Sequence, residues 1–474
     1  MGGSLIAGDP ERVWRGAALD SRSVQGDELF FALPGERTDG HRFVGDALAR
    51  GAAAAVVQSE VDQAGDGGLI RVPDTLAALH DLTRDVRRRL PRHLVAVTGS
   101  AGKTTTKELL AGMLARRFRV ERSPGNLNNL YGFPIALLGV AEGTEWMVAE
   151  MGMSQPGELG EVSRLGRPDV AVYTNVRAVH LEFFDSLRAI GDAKAELLLG
   201  LAPDGLLVAN SDDPEVVRIA RGFAGRVVWY GTGSASGGTE VDVRAEEVAA
   251  ARWPETGSRF VLAAGDDRAP VHLVIHGLYN VENFLAAAAC AWALGVSVEE
   301  IAAAAGRAQP VSMRGVVHAL PGEGVLVDDS YNSNPAALAG ALESARELAL
   351  SRDAARAGGR CWAVLGSMLE LGAAADRLHR EAGERAAALG FSPILGVGEA
   401  ARELVEGARG AGAEASWWPD SAAAAAAVGE LLAAGDVVLV KGSRGVGLEV
   451  VVAALERAAA GIEPAGRSAG EARG

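Results

Sequence analysis

Short apolar runs bounded by Gly, Pro, Asn or Asp recur along the chain, and stretches with helical spacing separate many of them. His93–Thr98, 146–151, 170–174, 205–209, 324–328, Cys361–Gly366, 393–397 and 436–440 are apolar at nearly every position. Such runs predict strands buried on both faces. Their alternation with helical stretches at 103–116, 187–201, 281–294, 335–348, 376–389 and 421–434 predicts parallel sheets covered by helices.

The rhythm divides into three blocks, and the fold class it predicts is α/β throughout. Residues 1–90 form a small α/β unit, with β-like pieces at 29–33 and 54–58 and a helix at Thr75–Arg89; Pro91 then marks a break. Residues 91–310 form a central parallel-sheet unit. A Gly/Ser-rich turn at 231–238 precedes strands near 260–264 and 271–276. Residues 311–460 repeat the rhythm as a separate Rossmann-like unit. Residues 461–474 are Gly, Ala, Glu and Arg without periodicity and read as a flexible tail.

Composition narrows the function. The chain has 474 residues, and a formal net charge of −15 argues against a broad nucleic-acid footprint, while a local basic pocket for an anionic small molecule remains open. Cys290 and Cys361 stand far apart in apolar settings, which predicts buried free thiols in a reducing, cytoplasmic compartment. No apolar run has the length of a membrane span, and no signal-peptide pattern is visible at the N-terminus.

Only four of the 46 basic residues are lysine: Lys103, Lys107, Lys194 and Lys441. Arginine serves wherever positive charge is enough. It cannot replace a compact ammonium or an amine that must lose its proton. The surviving lysines are therefore candidates for such tasks.

The strongest string is Val95-Ala-Val-Thr-Gly99-Ser100-Ala101-Gly102-Lys103-Thr104-Thr105-Thr106, a strand entering a glycine-bearing turn and then a helix. Glycines let backbone N–H groups approach phosphate oxygens, and the helix N-terminus favours negative charge. Lys103 is placed to bridge the β- and γ-phosphates of ATP, and the Thr104 hydroxyl to ligate Mg²⁺. The spacing GxxGKT is shorter than the general phosphate-loop pattern. Lys107, one turn on, reads as a helix-surface charge, with a functional role as the alternative. Glu150 ends a buried strand and is placed to hold Mg²⁺. His180 follows another buried strand, and Lys194 sits on a helix where arginine would serve for a mere ion pair.

Together these strings resemble the Mur ligases, the ATP-dependent amide-forming enzymes that build the peptidoglycan stem peptide. The resemblance covers nearly the whole chain. It includes Asp20-Ser-Arg22, Asp39-Gly-His41, Gly125-Asn-Leu-Asn-Asn129, Glu150-Met-Gly152, His180-Leu-Glu182, Ala193-Lys-Ala-Glu196, Asp328-Asp-Ser-Tyr-Asn-Ser-Asn-Pro335, 365–372 and Lys441-Gly-Ser-Arg444. The strings at 125–129 and 331–335 select the branch that adds D-alanyl-D-alanine to UDP-N-acetylmuramoyl-tripeptide.

The resemblance implies roles. The 1–90 block would bind the UDP-sugar, with Ser21 and Arg22 near the UDP end. Lys103 would meet the phosphates within the loop 99–105. Lys194 would be carbamylated by CO₂, and its carbamate with His180 would hold one Mg²⁺ while Thr104 and Glu150 hold another. Asn283 would contact adenine. Arg314 and Asp329 would reach the ATP phosphates and ribose from the third block. Asn128, Asn332 and Asn334 would serve the acceptor and dipeptide. The resemblance further implies a monomer, without nucleic acid or membrane insertion. Two positions depart from the family pattern: Tyr279 stands where a His is common, and Ser367 where an acidic residue is common. A folylpolyglutamate synthase, from the same superfamily, is disfavoured by the front block, and a nucleotide-dependent switch protein is the rival from another class.

Overall fold

The computed structural model describes residues 1–35, 38–61, 67–89, 93–179, 181–232, 240–352 and 359–461. The expected break at Pro91, most of the Gly/Ser-rich turn and most of the C-terminal tail lie outside the described residues. So does His180.

Three sheets organise the described chain. The first runs in the order Ser4–Ala7, Gly68–Arg71, Ala54–Val57, Leu29–Phe31, Ala17–Ala18, with only the edge strand Ser4–Ala7 antiparallel. The helix Thr75–Arg89 turns Ala78 and Leu79 onto its core beside Phe31 and Val56.

The second sheet carries the site. Its order is Asp267–Leu273, Ser258–Ala264, Val243–Ala250, Arg226–Gly231, Leu206–Asn210, Val170–Tyr173, His93–Thr98, Trp146–Glu150, Val120–Arg122. Six of these strands pair in parallel from Val120 to Gly231, and Val243–Ala250 continues them. The last three strands are joined antiparallel, so the expected parallel unit ends in an antiparallel extension. Arg226–Gly231 and Val243–Ala250 escape the sequence pattern. The second reads VRAEEVAA, whose Ala and Glu favour a helix and whose outer face is exposed.

Two helices pack against each other on one face of this sheet: Lys103–Leu114 and Tyr279–Ala293. The second is apolar almost all round, and Ala286 through Ala291 are fully buried. Its alanines have short side chains, so the phosphate-loop helix can approach closely. Elsewhere helix starts follow local chemistry. Asp213 caps Pro214–Arg221, Ser186 caps Leu187–Ala195, and Ser297 with Glu300 forms a capping box at Val298–Ala305.

The third sheet has the order Val316–Leu320, Gly324–Asp329, Val437–Lys441, Cys361–Gly366, Ile394–Val397, Ala415–Trp418. All its pairs but the first are parallel. Strands 324–329 and 437–441 place Asp329 and Lys441 in register at their C-terminal ends, where α/β sheets gather ligand-binding groups. Cys290 and Cys361 are both buried free thiols. Among the described residues no helix is long and apolar enough to cross a membrane.

Candidate active site

The strand His93–Thr98 delivers the chain into a loop that only glycine can make. Gly99 has φ +150° and Gly102 φ +83°. A Cβ on Gly99 would collide with the Thr174 hydroxyl, and one on Gly102 with the Asn283 side-chain oxygen. The loop is braced by the chain after strand 170–173. Ser100 N donates to Asn175 O (2.9 Å) and Ala101 N to Asn175 Oδ1 (3.0 Å). The Thr174 hydroxyl donates to Ala101 O (2.6 Å), and Arg177 N donates to Ser100 Oγ (2.9 Å). Asp213 in turn accepts from Val176 N and the Arg177 guanidinium. Thr174, Asp213 and the bracing role of Asn175 were not legible from motif spacing, because they act through backbone contacts between strand ends.

Lys103 Nζ donates to Gly99 O at 2.8 Å, holding the ammonium over the loop. Burial lowers its pKa; the nearby Glu150 carboxylate opposes this and Arg314 adds to it. Thr104 and Thr105 are buried in the first helical turn. Asn283 joins this turn from the neighbouring helix. Its carbonyl accepts from Thr106 Oγ1 (3.3 Å), and its amide donates to Asn280 Oδ1 (2.8 Å).

Glu150 is 2% exposed at the end of its strand. Its Oε2 lies 3.5 Å from Asn128 Nδ2, while Oε1 accepts no hydrogen bond and stands 3.5 Å from the Lys107 ammonium. A buried carboxylate oxygen that accepts no hydrogen bond, at the end of the strand paired with the one that enters the Gly99–Lys103 loop, fits a divalent cation. Among the described residues no group of three or more His, Cys, Asp or Glu could hold a metal. The fit is therefore to a cation that takes its remaining ligands from phosphate and water, as Mg²⁺ does.

Lys194 is 3% exposed on the helix Leu187–Ala195. No carboxylate pairs with it among the described residues. Burial lowers its pKa well below the usual lysine value, and Lys103 lowers it further. Lys107 corrects the sequence reading. It is not a surface charge but 0% exposed, because the helix face that bears it packs on the chain at 123–125 and on Glu150.

The third sheet brings its own groups. Lys441 Nζ lies 2.6 Å from Asp329 Oδ2 and donates to Asn332 O at 2.9 Å. Burial raises the Asp329 pKa, with Lys441 and then Arg314 opposing the shift. Arg314 stacks on Tyr331 with Cζ 4.1 Å from the ring centroid, and Arg444 approaches the same ring at 6.0 Å. Arg314 and Asp329 thus act electrostatically on Lys103 and Tyr279, which belong to the central unit. A Cβ on Gly315 would stand 2.7 Å from the Tyr279 hydroxyl, so Tyr279 packs directly beneath the segment that carries Arg314.

Other expected residues are less central. Arg22 is exposed and bound by Asp20 in a bidentate pair (2.9 and 2.6 Å), which holds the Asp20 carboxyl down at about 2 and cancels the local positive charge. Ser21 is buried in the turn that Asp20 caps. Asn334 uses its side-chain oxygen to cap the helix Pro335–Ser351, accepting from Ala337 N at 2.9 Å. Asn332 is exposed, and its oxygen accepts from Ser333 N. Ser367 is buried, and its hydroxyl accepts from Ala401 N, a structural task.

Comparison with known proteins finds similar sequences and structures over most of the chain. Residues 15–130 match the model of the Mur ligase family catalytic domain, 97–291 that of the Mur ligase middle domain, and 313–444 that of the Mur ligase glutamate ligase domain. The chain is 32% identical to a UDP-N-acetylmuramoyl-tripeptide–D-alanyl-D-alanine ligase of Bacillus subtilis, over 93% of each protein. It is 34% identical to the ligase of that name from Mycobacterium tuberculosis, over 96% of each. Among solved structures, a MurF from Acinetobacter baumannii superposes with a TM-score of 0.80 at 30% identity, over 93% of each chain. A MurF ligase from Thermotoga maritima in complex with ADP gives 0.78 at 27% identity, covering 95% of this chain and 99% of that one.

Proposed function

The chain belongs to the Mur ligase family, and we propose that within it the protein joins D-alanyl-D-alanine to UDP-N-acetylmuramoyl-tripeptide with cleavage of ATP to ADP and phosphate, in cytoplasmic peptidoglycan precursor synthesis. One observation carries the reading. Lys103, Glu150 and Arg314 act on one phosphate-binding loop, in a chain 34% identical over 96% of its length to a ligase of that activity.

In this reading residues 1–90 seat the UDP-sugar, 91–310 the nucleotide, and 311–460 close over it with Arg314 and Asp329. The terminal carboxylate of the tripeptide attacks the γ-phosphorus of ATP, giving an acyl phosphate and ADP. The amine of the dipeptide then attacks the acyl carbon, phosphate leaves, and the amine's proton is lost. Lys103 and the loop N–H groups stabilise charge on the transferring phosphoryl group. Asn283 holds the base, and Tyr279 sets the approach of the Arg314 segment.

Thr104 and Glu150 would hold Mg²⁺, which supplies charge neutralisation at the phosphates. Lys194 is read as the acceptor of CO₂: its neutral Nζ forms a bond to the carbon and loses a proton, leaving an anionic carbamate. The lowered proton affinity of this buried amine supports that assignment. With His180 the carbamate would hold a second Mg²⁺. The test is phosphate release that depends on both the tripeptide acceptor and the dipeptide.

A further inference from the structure

The proposed reaction uses Lys103 and Lys194 directly and Lys441 through Asp329. It gives no task to Lys107, which is buried. A buried ammonium is costly unless paired and hydrogen-bonded, and this one is held from several sides. Its Nζ donates to Ser123 O (2.6 Å) and Gly125 O (3.3 Å), and lies 3.3 Å from Glu108 Oε1 and 3.5 Å from Glu150 Oε1.

The two carbonyls belong to the stretch between the edge strand Val120–Arg122 and the helix Gly132–Leu138. That stretch touches both sides of the site. Ser123 Oγ accepts from Glu150 N (3.2 Å), and the Asn128 amide lies 3.5 Å from Glu150 Oε2. Asn128 O accepts from Gly152 N (2.8 Å). Further along, Leu130 O meets His80 Nε2 at 2.9 Å, and His80 lies on the helix Thr75–Arg89 of the first unit. The phosphate loop, by contrast, is braced from Thr174, Asn175 and Arg177, on the other side of its strand.

We propose that Lys107 is a positioning residue that fixes the 123–130 stretch against Glu150 and so sets the seat of the tripeptide acceptor, while the bracing of the 99–102 loop by Thr174, Asn175 and Arg177 does not depend on it. The proposal rests on the ligase reading for its substrate. The slot explains the residue type. A compact ammonium can direct its protons at two carbonyls and a carboxylate in a closed space, whereas a planar guanidinium needs a wider fork.

The test uses the full-length protein with Lys107→Met and Lys107→Gln. Steady-state KM is measured for UDP-N-acetylmuramoyl-tripeptide, the dissociation constant of ADP is measured in EDTA, and amide hydrogen exchange is followed at 124–130 and 99–106 without substrates. For Lys107→Met the KM of the tripeptide should rise about tenfold or more while the ADP dissociation constant in EDTA stays within roughly threefold. Exchange at 124–130 should speed up by about tenfold or more while 99–106 keeps its protection. Lys107→Gln, which keeps a donor but no charge, should fall between wild type and Met. Equal changes in the tripeptide KM and the ADP dissociation constant, a loss confined to kcat in proportion to folded protein, or exchange rising alike in both segments would overturn the proposal. If Lys107→Met does not fold, the Gln variant and its exchange pattern decide. Failure of the ligase reading would show separately, as wild-type phosphate release indifferent to the dipeptide, and the exchange pattern would still test Lys107.

Discussion

Lys441 Nζ lies 2.6 Å from Asp329 Oδ2, and the two residues face each other in register at the ends of adjacent parallel strands. Lys441 is 3% exposed, and its second bond, to Asn332 O, ties down the turn that follows Asp329. Lys441→Met would leave a buried carboxylate without its counter-ion. The expected loss is roughly 3–5 kcal/mol of stability. Adding Asp329→Asn to Lys441→Met should recover part of it. Urea unfolding of the two variants beside wild type measures both effects.

Lys194→Arg should abolish ligation, because guanidinium stays protonated and forms no carbamate. Far-UV circular dichroism should match wild type. Wild-type protein stripped of CO₂ should lose turnover and regain it with bicarbonate. ¹³C-bicarbonate should give a carbamate carbon resonance that the variant lacks. Near-native turnover of Lys194→Arg without added bicarbonate would remove the carbamate from the mechanism.

His276 ties the central unit to the third, with Nε2 3.2 Å from Ser344 O. Burial lowers its pKa to about 4, and the Ser344 contact opposes the shift. The folded state therefore binds fewer protons than the unfolded chain between about pH 4 and pH 6.5, and stability must fall as pH drops through that window. The loss attributable to this group is on the order of 3 kcal/mol. His276→Gln should flatten that part of the decline. Unfolding midpoints at pH 7 and pH 4.5 for both proteins check it.

Buried strands were legible because each is apolar at nearly every position, and helices because of their helical spacing; Cys361–Gly366 and Thr75–Arg89 coincide with their expected bounds. Edges were not. Val120–Arg122 and Ala415–Trp418 are short and half-exposed, so they carry no continuous apolar signal. The glycine loop at 99–102 was legible because Gly99, Gly102 and Lys103 fall within five residues between a strand and a helix. Its bracing by Asn175 and Asp213 was hidden, since strands distant in sequence bring those groups together. Lys107 shows the same limit. Scarcity of lysine marked it, but helical spacing alone could not tell a surface from the crevice beside Ser123.

The ligase assignment is tested most directly by phosphate release from ATP with UDP-N-acetylmuramoyl-tripeptide, in the presence and absence of D-alanyl-D-alanine. Sustained release should require both, with one amide product formed per phosphate. Release that proceeds equally without the dipeptide, or without the tripeptide, would contradict the assignment.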